Sequence, residues 1–582
     1  MRRLVTIIVL LLGAAAPAHA AAPPDRRAEA LVARMTLDEK IQLVHGVTLC
    51  FIPIGDFPGS DRSLRGDGFV PGIPRLGIPD INYVGAGAGV TNCGARENGR
   101  STVLPSPLAR ASSWSPELAY GAGALLGTEA RAQGFTTLLG GVSDLIREPR
   151  WGRAFETLGE DPVLNGTLVA AELRGVQSRK VVATIKHYAV NNQETGRETH
   201  TVEVDERALR ELHLLPYEIA VPASGVGNVM CAYNRVNGVY ACENDMLLNR
   251  ILKDEFGFQG QVQSDWGATH STVPAALAGL DEEQFTSEFF GDALKDAVQR
   301  GQVSIERLDD MVRRKLRSLI AVGVLDDPPP SPGPVDAARG VQAAERIAEQ
   351  SLVLLKNDGA ALPLRRSLRS IAVIGSHADV GVLSGGGSAQ VSPIGGPAVP
   401  PECDPETPGG GPCPVWVPSS PLQAIRAAAP RAAVRYADGD DAPALAARSD
   451  VAIVFAHEWR SEFEDRTDLA LPDGQEALIE RVAAANPNTI VVLETGGPVT
   501  MPWAGRVRAV LEAWYPGSGG GPAIARTLFG DVNPAGKLTV TFPRRLDDIP
   551  TGPAPPSDGD AIPYAESLLV GYRWYDAKRI AP

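Results

Sequence analysis

Short apolar runs alternate with amphipathic segments along the N-terminal half of the chain. The run VVATIKHYAV at 181–190 predicts a buried strand. It is followed by DERALRELHLLPYEIAV, whose apolar residues recur at helical spacing after Asp205 as the N-cap. The segments GNVMCAYNRV, NDMLLNRILKDEFG and GQVQSDWG predict a further strand, helix and strand. Repeated alternation of this kind predicts a (β/α)8-type barrel.

The C-terminal half shows the same alternation, but its apolar runs end in polar or glycine-rich segments. The runs SIAVIGSHAD, DVAIVFAHEW and NTIVVLETGG predict apolar strands that end in polar or glycine-rich turns, with helical stretches between them. This pattern predicts an α/β sandwich domain with a mostly parallel sheet. Between the halves, DDPPPSPGPV at 326–335 contains five prolines and predicts a linker. We therefore expect an α/β protein with a barrel domain over 21–325 and a sandwich domain over 336–582.

The first twenty residues differ from the rest of the chain. Arg2 and Arg3 precede an apolar run over 4–16, and Ala18-His19-Ala20 has the form of a signal-peptidase site. The run is shorter than the ~20 residues that a membrane-spanning helix needs. A buried N-terminal helix is the alternative. We expect a signal peptide over 1–20, cleaved after Ala20, and a secreted or periplasmic protein without a membrane span.

Composition and charge narrow the classes of partner. Hydrophobic residues make up 44% of the chain and charged residues 21%, which is typical of a soluble globular protein. The 55 basic and 69 acidic residues give a net charge of −14, which repels phosphate backbones and anionic membranes. Nucleic acid is therefore not an expected partner. The eight histidines form no H-E-x-x-H motif, so we expect no metal site.

The six cysteines are even in number, as is common in exported proteins. Their spacings contain no C-x-x-C, which disfavours a zinc ribbon or a thioredoxin-type site. The simplest connectivity is three local disulfides, although other pairings remain open. These bridges would join Cys50 to Cys93, Cys231 to Cys242, and Cys403 to Cys413.

Two acidic segments follow predicted strands. Asp265 stands where the strand of GQVQSDWG ends, which is a catalytic position in barrels; capping the next helix is the alternative role. The loop EWRSEFEDRTDLALP at 458–472 follows the strand DVAIVFAH. Most acids in such a charge run are solvated, or paired with Arg460 and Arg466, but one partly desolvated carboxyl is a candidate general acid. The acids of this loop are Glu458, Glu462, Glu464, Asp465 and Asp468.

These segments belong to a longer series of ordered blocks. The chain resembles glycoside hydrolase family 3, whose members are typically exo-acting β-glucosidases, over almost all of residues 25–580. The nucleophile pattern of that family is similar to GFQGQVQSDWG, and its acid/base loop is similar to SEFEDRTDLALP. The other matching blocks are REPRWGRAFETLGEDP, KHYAVNNQETGR, VMCAYNRVNG, SLVLLKNDGAALPL, GGGSA and AWYPGSGGGPAIARTLFGDVNPAGKL.

The resemblance implies a retaining hydrolysis that needs no cofactor. Asp265 would be the nucleophile and Glu462 the acid/base, with the two carboxyls about 5–5.5 Å apart. Glu462 would then have to keep its proton near neutral pH, which requires partial desolvation or a neighbouring negative charge. We expect the loop of the second domain, folded over the barrel mouth, to provide both.

The resemblance also implies a sugar-binding set. In isolation, Arg153 can instead pair with Glu156 or Asp161, and His187 can be a hydrogen-bonded core histidine. The substrate would be an oligosaccharide or an aryl or alkyl β-glycoside, while the oligomeric state remains open. The residues of the set are Arg153, Lys186, His187, Arg197, Tyr233, Trp266 and Ser388.

Two departures from the family pattern stand out. Family members usually carry an Asp and an Arg that hold the distal hydroxyls of the terminal sugar, whereas Gly85 and Thr91 stand at those positions here. We therefore expect a roomier, less polar wall at Gly85, weak discrimination between glucoside and xyloside, and more glucoside preference in Gly85→Asp. The chain also ends at VGYRWYDAKRIAP, where relatives continue into a fibronectin-like domain. Either this is a naturally short form without that domain, or the C-terminus is missing.

The function expected from the sequence is a secreted, exo-acting, retaining β-glycosidase, in the first place a β-glucosidase. A β-xylosidase or arabinofuranosidase of the same family is one alternative, because Gly85 weakens the argument for a hexose. A non-catalytic sugar-binding protein is the other, but it would need no carboxylate pair. The β-N-acetylglucosaminidases of the family do not fit, since their KHFPGHG motif differs from KHYAVNNQETG.

Overall fold

The computed structural model describes residues 23–47, 60–91, 100–375, 377–401, 403 and 413–582. The expected signal peptide and the cysteines at 50 and 93 lie outside these residues. The strands are β1 (Gly68–Val70), β2 (Ile81–Ala86), β3 (Val90–Thr91), β4 (Thr137–Leu139), β5 (Val182–Tyr188), β6 (Thr201–Glu203), β7 (Asn228–Cys231), β8 (Arg235–Val236), β9 (Val239–Tyr240), β10 (Gln261–Ser264), β11 (Val353–Asn357), β12 (Ser370–Ile374), β13 (Val382–Ser384), β14 (Val415–Val417), β15 (Ala433–Ala437), β16 (Val451–Glu458), β17 (Thr489–Thr495), β18 (Ala509–Glu512) and β19 (Ala561–Pro563). The helices are α1 (Pro24–Val32), α2 (Leu37–Gln42), α3 (Pro107–Ala111), α4 (Pro116–Ala132), α5 (Pro162–Gln177), α6 (Glu206–Ala208), α7 (Leu215–Ser224), α8 (Val273–Ala278), α9 (Asp292–Gln299), α10 (Ile305–Val322), α11 (Ala337–Ser351), α12 (Pro421–Ala428), α13 (Ala442–Ala447), α14 (Gln475–Ala485), α15 (Gly520–Leu528) and α16 (Tyr572–Lys578).

The N-terminal sheet has the order β1-β2-β4-β5-β7-β10, with β3 also paired to β2. The pairs from β2 to β10 are parallel, whereas β1 and β3 run antiparallel to β2. Isolated bridges at Gln263–Glu282 and His45–Glu283 continue the sheet beyond β10, and Val47 donates to a carbonyl of β1. The sheet therefore curls round on itself, and the parallel strands end together on one side.

The buried strands and covering helices follow from the sequence pattern, with two exceptions. The helix expected from NDMLLNRILKDEFG is a π-helix over Met246–Glu255, and the helix expected after Asp205 is divided. Every residue of β5 is buried, as predicted for a strand covered on both faces. Asp205 caps the next helix by accepting from the Ala208 backbone N–H at 2.9 Å. The single helix predicted there is instead α6, a π-helical turn at Leu209–His213, and then α7. Pro216, in the first turn of α7, has no N–H to continue a regular α-helix.

The C-terminal sheet has the order β11-β18-β17-β16-β12-β15, and all its pairs are parallel except β11–β18. Alternate residues of its strands enter two different apolar cores. In β16, Ile453 and Phe455 belong to one core, and Val454 and Ala456 belong to the other. Helices therefore cover both faces, and the predicted strands β12, β16 and β17 are all present. The α/β fold class is confirmed.

The two halves of the chain are joined by more than the proline-rich stretch. That stretch lies between the end of α10 and the start of α11. Ala344 and Ile347 of α11 pack into the core of the N-terminal half, and β19 pairs in parallel with β6. Because elements after residue 336 contact the N-terminal half, the structure does not divide the chain at one point, and the domain boundaries at 325 and 336 stay predictions.

Two of the three predicted disulfides are present in the described residues. Cys231 at the end of β7 is bonded to Cys242, with a Cα–Cα distance of 5.3 Å. Cys403 is bonded to Cys413, with a Cα–Cα distance of 4.9 Å.

Within the described ranges, no helix has the length and apolar character that a membrane crossing requires.

Candidate active site

Asp265 lies directly after β10, at the end of the strand where the sequence predicted it. Its backbone N–H donates to the Cys231 carbonyl of the neighbouring β7 at 3.1 Å. Oδ1 accepts from the Trp266 N–H at 2.8 Å, whereas Oδ2 has no hydrogen-bond partner among the described residues. Asp265 does not cap a helix, because α8 begins only at Val273. The carboxylate is thus held by one oxygen and presents the other.

His187, at the end of β5, connects Asp265 to a buried network. Its Nδ1 lies 2.9 Å from Asp144, and its Nε2 lies 3.1 Å from Arg153 Nη1 and 3.7 Å from Asp265 Oδ2. Burial, reinforced by the charge of Arg153, holds the pKa of His187 well below its usual range. In the tautomer that this network favours, the neutral ring donates from Nδ1 to Asp144 and accepts at Nε2 from Arg153. His187 is therefore hydrogen-bonded, as the core alternative expected, and it also lies beside the nucleophile candidate.

Glu462 meets two guanidinium groups. Its Oε1 lies 3.0 Å from Arg197 Nη1 and 3.4 Å from Arg153 Nη1, and its Oε2 accepts from the Ser388 N–H at 2.8 Å. Burial raises the pKa of Glu462, but the two arginines and Ser388 outweigh it and hold the pKa well below the usual range. The expectation that Glu462 keeps its proton is therefore wrong for this structure. The loop provides the desolvation, but its neighbours are positive rather than negative.

The loop that carries Glu462 is docked onto the N-terminal half from both sides. Before Glu462, Arg460 Nη1 donates to the carbonyls of Pro149 at 2.6 Å and Trp151 at 3.1 Å. After it, Asp465 accepts from the backbone N–H groups of Gly152, Glu194 and Thr195 at 2.8–3.0 Å. These contacts place Glu462 on the side of the N-terminal sheet where the parallel strands end.

The remaining acids of the loop behave largely as a charge run does. Glu458 is buried and pairs with Arg460 at 2.7 Å and with Arg466 at 3.2 Å, as predicted. Asp468 lies 3.4 Å from Arg466, and Glu464 is exposed. Glu462 is the acid of this loop that contacts both Arg153 and Arg197.

Arg197 is fixed by an ion pair and two aromatic rings. Its Nη1 lies 2.6 Å from Glu194, and its guanidinium lies 4.7 Å from the Tyr233 ring centroid and 5.0 Å from that of Phe463. Burial raises the pKa of Tyr233 well above its usual range, and the charge of Asp265 adds to this effect. Tyr233 is therefore a neutral phenol beside the nucleophile candidate. Phe463 is 63% exposed and forms an apolar edge of the site.

Lys186 interacts electrostatically with both candidate carboxylates, as Arg153 and Arg197 also do. Burial and the charge of Arg153 lower its pKa, while Glu156, Asp265 and Glu462 raise it. Burial likewise raises the pKa of Asp265, against the charges of Lys186, Arg197 and Arg153. The two carboxylates therefore differ: burial dominates at Asp265, and ion pairing dominates at Glu462.

Arg153 makes the pair that the sequence offered as its alternative role, and a further contact. Its guanidinium donates to both oxygens of Glu156, at 2.9 and 2.8 Å, while Asp161 caps α5. The remaining Nη1 points to His187 and Glu462. The structure thus brings every predicted catalytic and sugar-binding residue into one cluster: Arg153, Lys186, His187, Arg197, Tyr233, Asp265, Trp266, Ser388 and Glu462.

The space beside Gly85 is not open. The Gly85 N–H donates to a carboxylate oxygen of Asp67. A Cβ atom on residue 85 would overlap the Thr91 hydroxyl, and it would lie 3.1 Å from Asp67 Oδ2 and 3.4 Å from the Ser388 carbonyl oxygen. The expectation of a roomier and less polar wall at Gly85 is therefore wrong.

Sequence reasoning missed several acids of the site. Glu156 was named as an alternative partner of Arg153, whereas Glu194 lies inside a matched block but was not identified as the partner of Arg197. Asp144 lies outside the matched blocks, and its role as the partner of His187 depends on a contact distant in sequence. Asp67 belongs to no motif, and only the pairing of β1 with β2 brings it to the site. In the part of the chain that the structure describes, no group of three or more His, Cys, Asp or Glu residues is arranged to hold a metal ion.

Comparisons with known proteins match the chain in two blocks. The model of the glycosyl hydrolase family 3 N terminal domain matches residues 75–318, and that of the C-terminal domain matches residues 352–572. Thermostable beta-glucosidase B of Acetivibrio thermocellus is 37% identical over 578 residues, which cover 95% of this chain and 71% of that protein. An exo-alpha-(1->6)-L-arabinopyranosidase of Bifidobacterium breve is 33% identical over 537 residues, which cover 87% and 68%. The crystal structure of DesR, a beta-glucosidase from Streptomyces venezuelae in complex with D-glucose, has a TM-score of 0.82 and 31% identity, covering 96% of this chain and 83% of that one.

Proposed function

The chain belongs to glycoside hydrolase family 3 and is a glycoside hydrolase, and we propose that it is an exo-acting, retaining β-glucosidase. The observation that carries the proposal is the arrangement of Asp265 and Glu462 around one guanidinium. Arg153 Nη1 lies against Glu462 and contacts His187, which lies beside Oδ2 of Asp265, the oxygen that accepts no hydrogen bond from a described residue. A retaining glycosidase requires two such carboxylates, whereas a protein that only binds sugars does not.

In the first step, Asp265 Oδ2 attacks the anomeric carbon and forms a covalent glycosyl-enzyme while the bond to the leaving oxygen breaks. The charges of Lys186, Arg197 and Arg153 favour the ionised, nucleophilic form against the effect of burial. The leaving oxygen takes its proton from Glu462. The sugar thereby becomes an ester of Asp265, and the aglycone departs as an alcohol.

In the second step, Glu462 removes a proton from water, which attacks the anomeric carbon and releases Asp265. The two guanidiniums keep Glu462 ionised, which suits this role as a base. The first step instead requires the protonated form, which is scarce when the pKa is low. The productive state, with Asp265 ionised and Glu462 protonated, is then a minor state of a coupled pair.

The names of the relatives support the choice of sugar. A beta-glucosidase stands among them at 37% identity, and one solved relative holds D-glucose. The arabinopyranosidase relative supports a second candidate, a pentopyranosidase. Both activities place two carboxylates around an equatorial glycosidic bond, so the reaction machinery does not separate them.

The test is a panel of aryl glycosides: β-D-glucoside, β-D-xyloside, α-L-arabinopyranoside and α-L-arabinofuranoside. We expect the largest kcat/KM for the glucoside, with β-glucose as the first product seen by proton NMR. A larger value for either pentopyranoside would establish the second candidate. Sugar binding without product from any substrate would establish a binding protein, and α-glucose as first product would contradict retention.

We also propose that the enzyme is exported to the periplasm or the medium. The support is the basic start, the apolar run and the Ala18-His19-Ala20 site of the sequence. N-terminal sequencing of enzyme recovered outside the cytoplasm should begin at Ala21. An enzyme that stays in the cytoplasm with Arg2 and Arg3 attached would contradict export.

A further inference from the structure

Asp67 stands immediately before β1 and faces residue 85 on β2. The antiparallel register pairs Gly68 with Tyr83, and the Asp67 N–H donates to the Tyr83 carbonyl at 3.0 Å. From this place the carboxylate of Asp67 accepts a hydrogen bond from the Gly85 N–H. The side chain of the residue before β1 thus lies beside a residue without a side chain on β2.

The surroundings of this carboxylate are polar. A Cβ atom on residue 85 would contact Thr91 Oγ1, Asp67 Oδ2 and the carbonyl oxygen of Ser388, so these three groups border one small space. Thr91 is only 6% exposed, and its hydroxyl has no hydrogen-bond partner among the described residues. A buried hydroxyl without a partner is costly unless a ligand satisfies it.

Asp67 is also part of the active-site surroundings. Its carbonyl oxygen accepts from the indole N–H of Trp266, the residue after the nucleophile, at 2.9 Å. Burial raises the pKa of Asp67 to about 6, against the hydrogen bond from Gly85 and the charge of Lys186, and the charge of Glu462 adds to the effect of burial. Asp67 is nonetheless partly accessible to solvent. Ser388 connects this space to the reacting pair, because its carbonyl oxygen borders residue 85 and its N–H donates to Glu462.

We propose that Asp67 is a specificity-determining residue whose carboxylate, together with the Thr91 hydroxyl, binds a hydroxyl group of the terminal sugar. This inference rests on the proposed function. The anomeric carbon has to lie between Asp265 and Glu462, so the hydroxyl that Asp67 binds is on another carbon of the ring. A carboxylate accepts from such a hydroxyl more strongly than an amide does, and it rejects a sugar that lacks the hydroxyl.

The test compares the wild type with Asp67→Asn on aryl β-glucoside and on its 3-deoxy, 4-deoxy and 6-deoxy analogues. For at least one analogue, we expect the wild type to prefer the full glucoside by about ten- to a hundredfold in kcat/KM. Asp67→Asn should lose most of that preference. Compared with the wild type, its kcat/KM should be lower on the full glucoside and about equal on the analogue. Asp61→Asn is the matched control, since the same change falls on an exposed residue a few positions away.

A second measurement does not depend on turnover. Calorimetric binding of D-glucose and of the three deoxyglucoses to Asp265→Asn, with and without Asp67→Asn, should show the same loss of preference. If the wild type hydrolyses none of the substrates, but the preference for D-glucose in binding is present and is lost with Asp67→Asn, the proposed function is overturned and the role of Asp67 is supported. If stable Asp67→Asn keeps every wild-type ratio within about twofold, in both measurements, the role of Asp67 is overturned.

Discussion

Glu462 and Arg197 belong to opposite halves of the chain, yet the Glu462 carboxylate accepts from Arg197 Nη1 at 3.0 Å. The docked loop brings the carboxylate to the site, where Arg153 and Arg197 together hold its pKa low. The same contact therefore completes the carboxylate pair and opposes protonation of its acid/base.

This ion pair predicts the pH dependence of kcat/KM. The reaction needs Glu462 protonated and Asp265 ionised, and the pKa of Asp265 is raised whereas that of Glu462 is depressed, so activity on poor leaving groups should fall as pH rises above the higher of the two pKa values. Arg197→Gln removes a positive charge that lowers both pKa values, which should move the alkaline fall by about one to three pH units upward. The measurement is a pH profile on an alkyl β-glucoside, and Arg197→Lys, which keeps the charge, is the control. An unchanged profile in Arg197→Gln would show that the ion pair does not set the pKa.

Replacing Glu462 by Ala should depend on the leaving group. Alkyl glucosides should lose about 10²- to 10⁴-fold in kcat/KM, whereas dinitrophenyl glucosides need little protonation and should lose far less. Added azide should then accelerate turnover and yield β-glucosyl azide, because it needs no general base. Glu464→Ala, in the same loop but exposed, is the control. The assignment is wrong if the control shows this pattern and Glu462→Ala does not.

Gly85→Asp should impair the enzyme rather than improve its preference for glucoside. The new side chain would overlap Thr91 Oγ1 and come close to the Asp67 carboxylate, so overpacking and like-charge repulsion both oppose it. We expect a loss of about tenfold or more in kcat/KM on aryl β-glucoside. In Gly121→Asp, the matched control, the added side chain meets open space on α4. A gain in glucoside preference would revive the roomier-wall interpretation.

Asp265→Ala should abolish turnover of every substrate, by about 10⁵-fold or more, because no other carboxylate can form the covalent intermediate. Folding should be retained, since one oxygen of Asp265 makes no hydrogen bond to a described residue. Residual activity is measured on an activated aryl glucoside, with Asp254→Ala, at an exposed position, as the control. Turnover within about a hundredfold of the wild type would place the nucleophile elsewhere.

The fold was predictable where burial alone determines the pattern. The strands β12, β16 and β17 are covered on both faces, so their apolar runs are uninterrupted and easily recognised. The segment after Asp205 was predicted as one regular helix, whereas the structure divides it by a π-helical turn. Its cap is readable from sequence, but the π-helical turn before Pro216 depends on local backbone geometry.

The site was predictable as a set of residues but not as an electrostatic environment. The ordered blocks identified the residues that meet around Asp265 and Glu462. The low pKa of Glu462 was missed because Arg153 and Arg197 reach it from distant positions in the chain. Asp67 was missed because its position depends on the pairing of β1 with β2.

The most direct test of the account is to trap the covalent intermediate. A 2-deoxy-2-fluoro-β-glucoside with an activated leaving group should inactivate the enzyme, because the fluorine slows release of the sugar more than its transfer. Peptide mapping by mass spectrometry should then find one fluoroglucosyl group per chain, on Asp265. A label on any other residue, or inactive enzyme with no label on Asp265, would contradict a retaining mechanism with Asp265 as nucleophile.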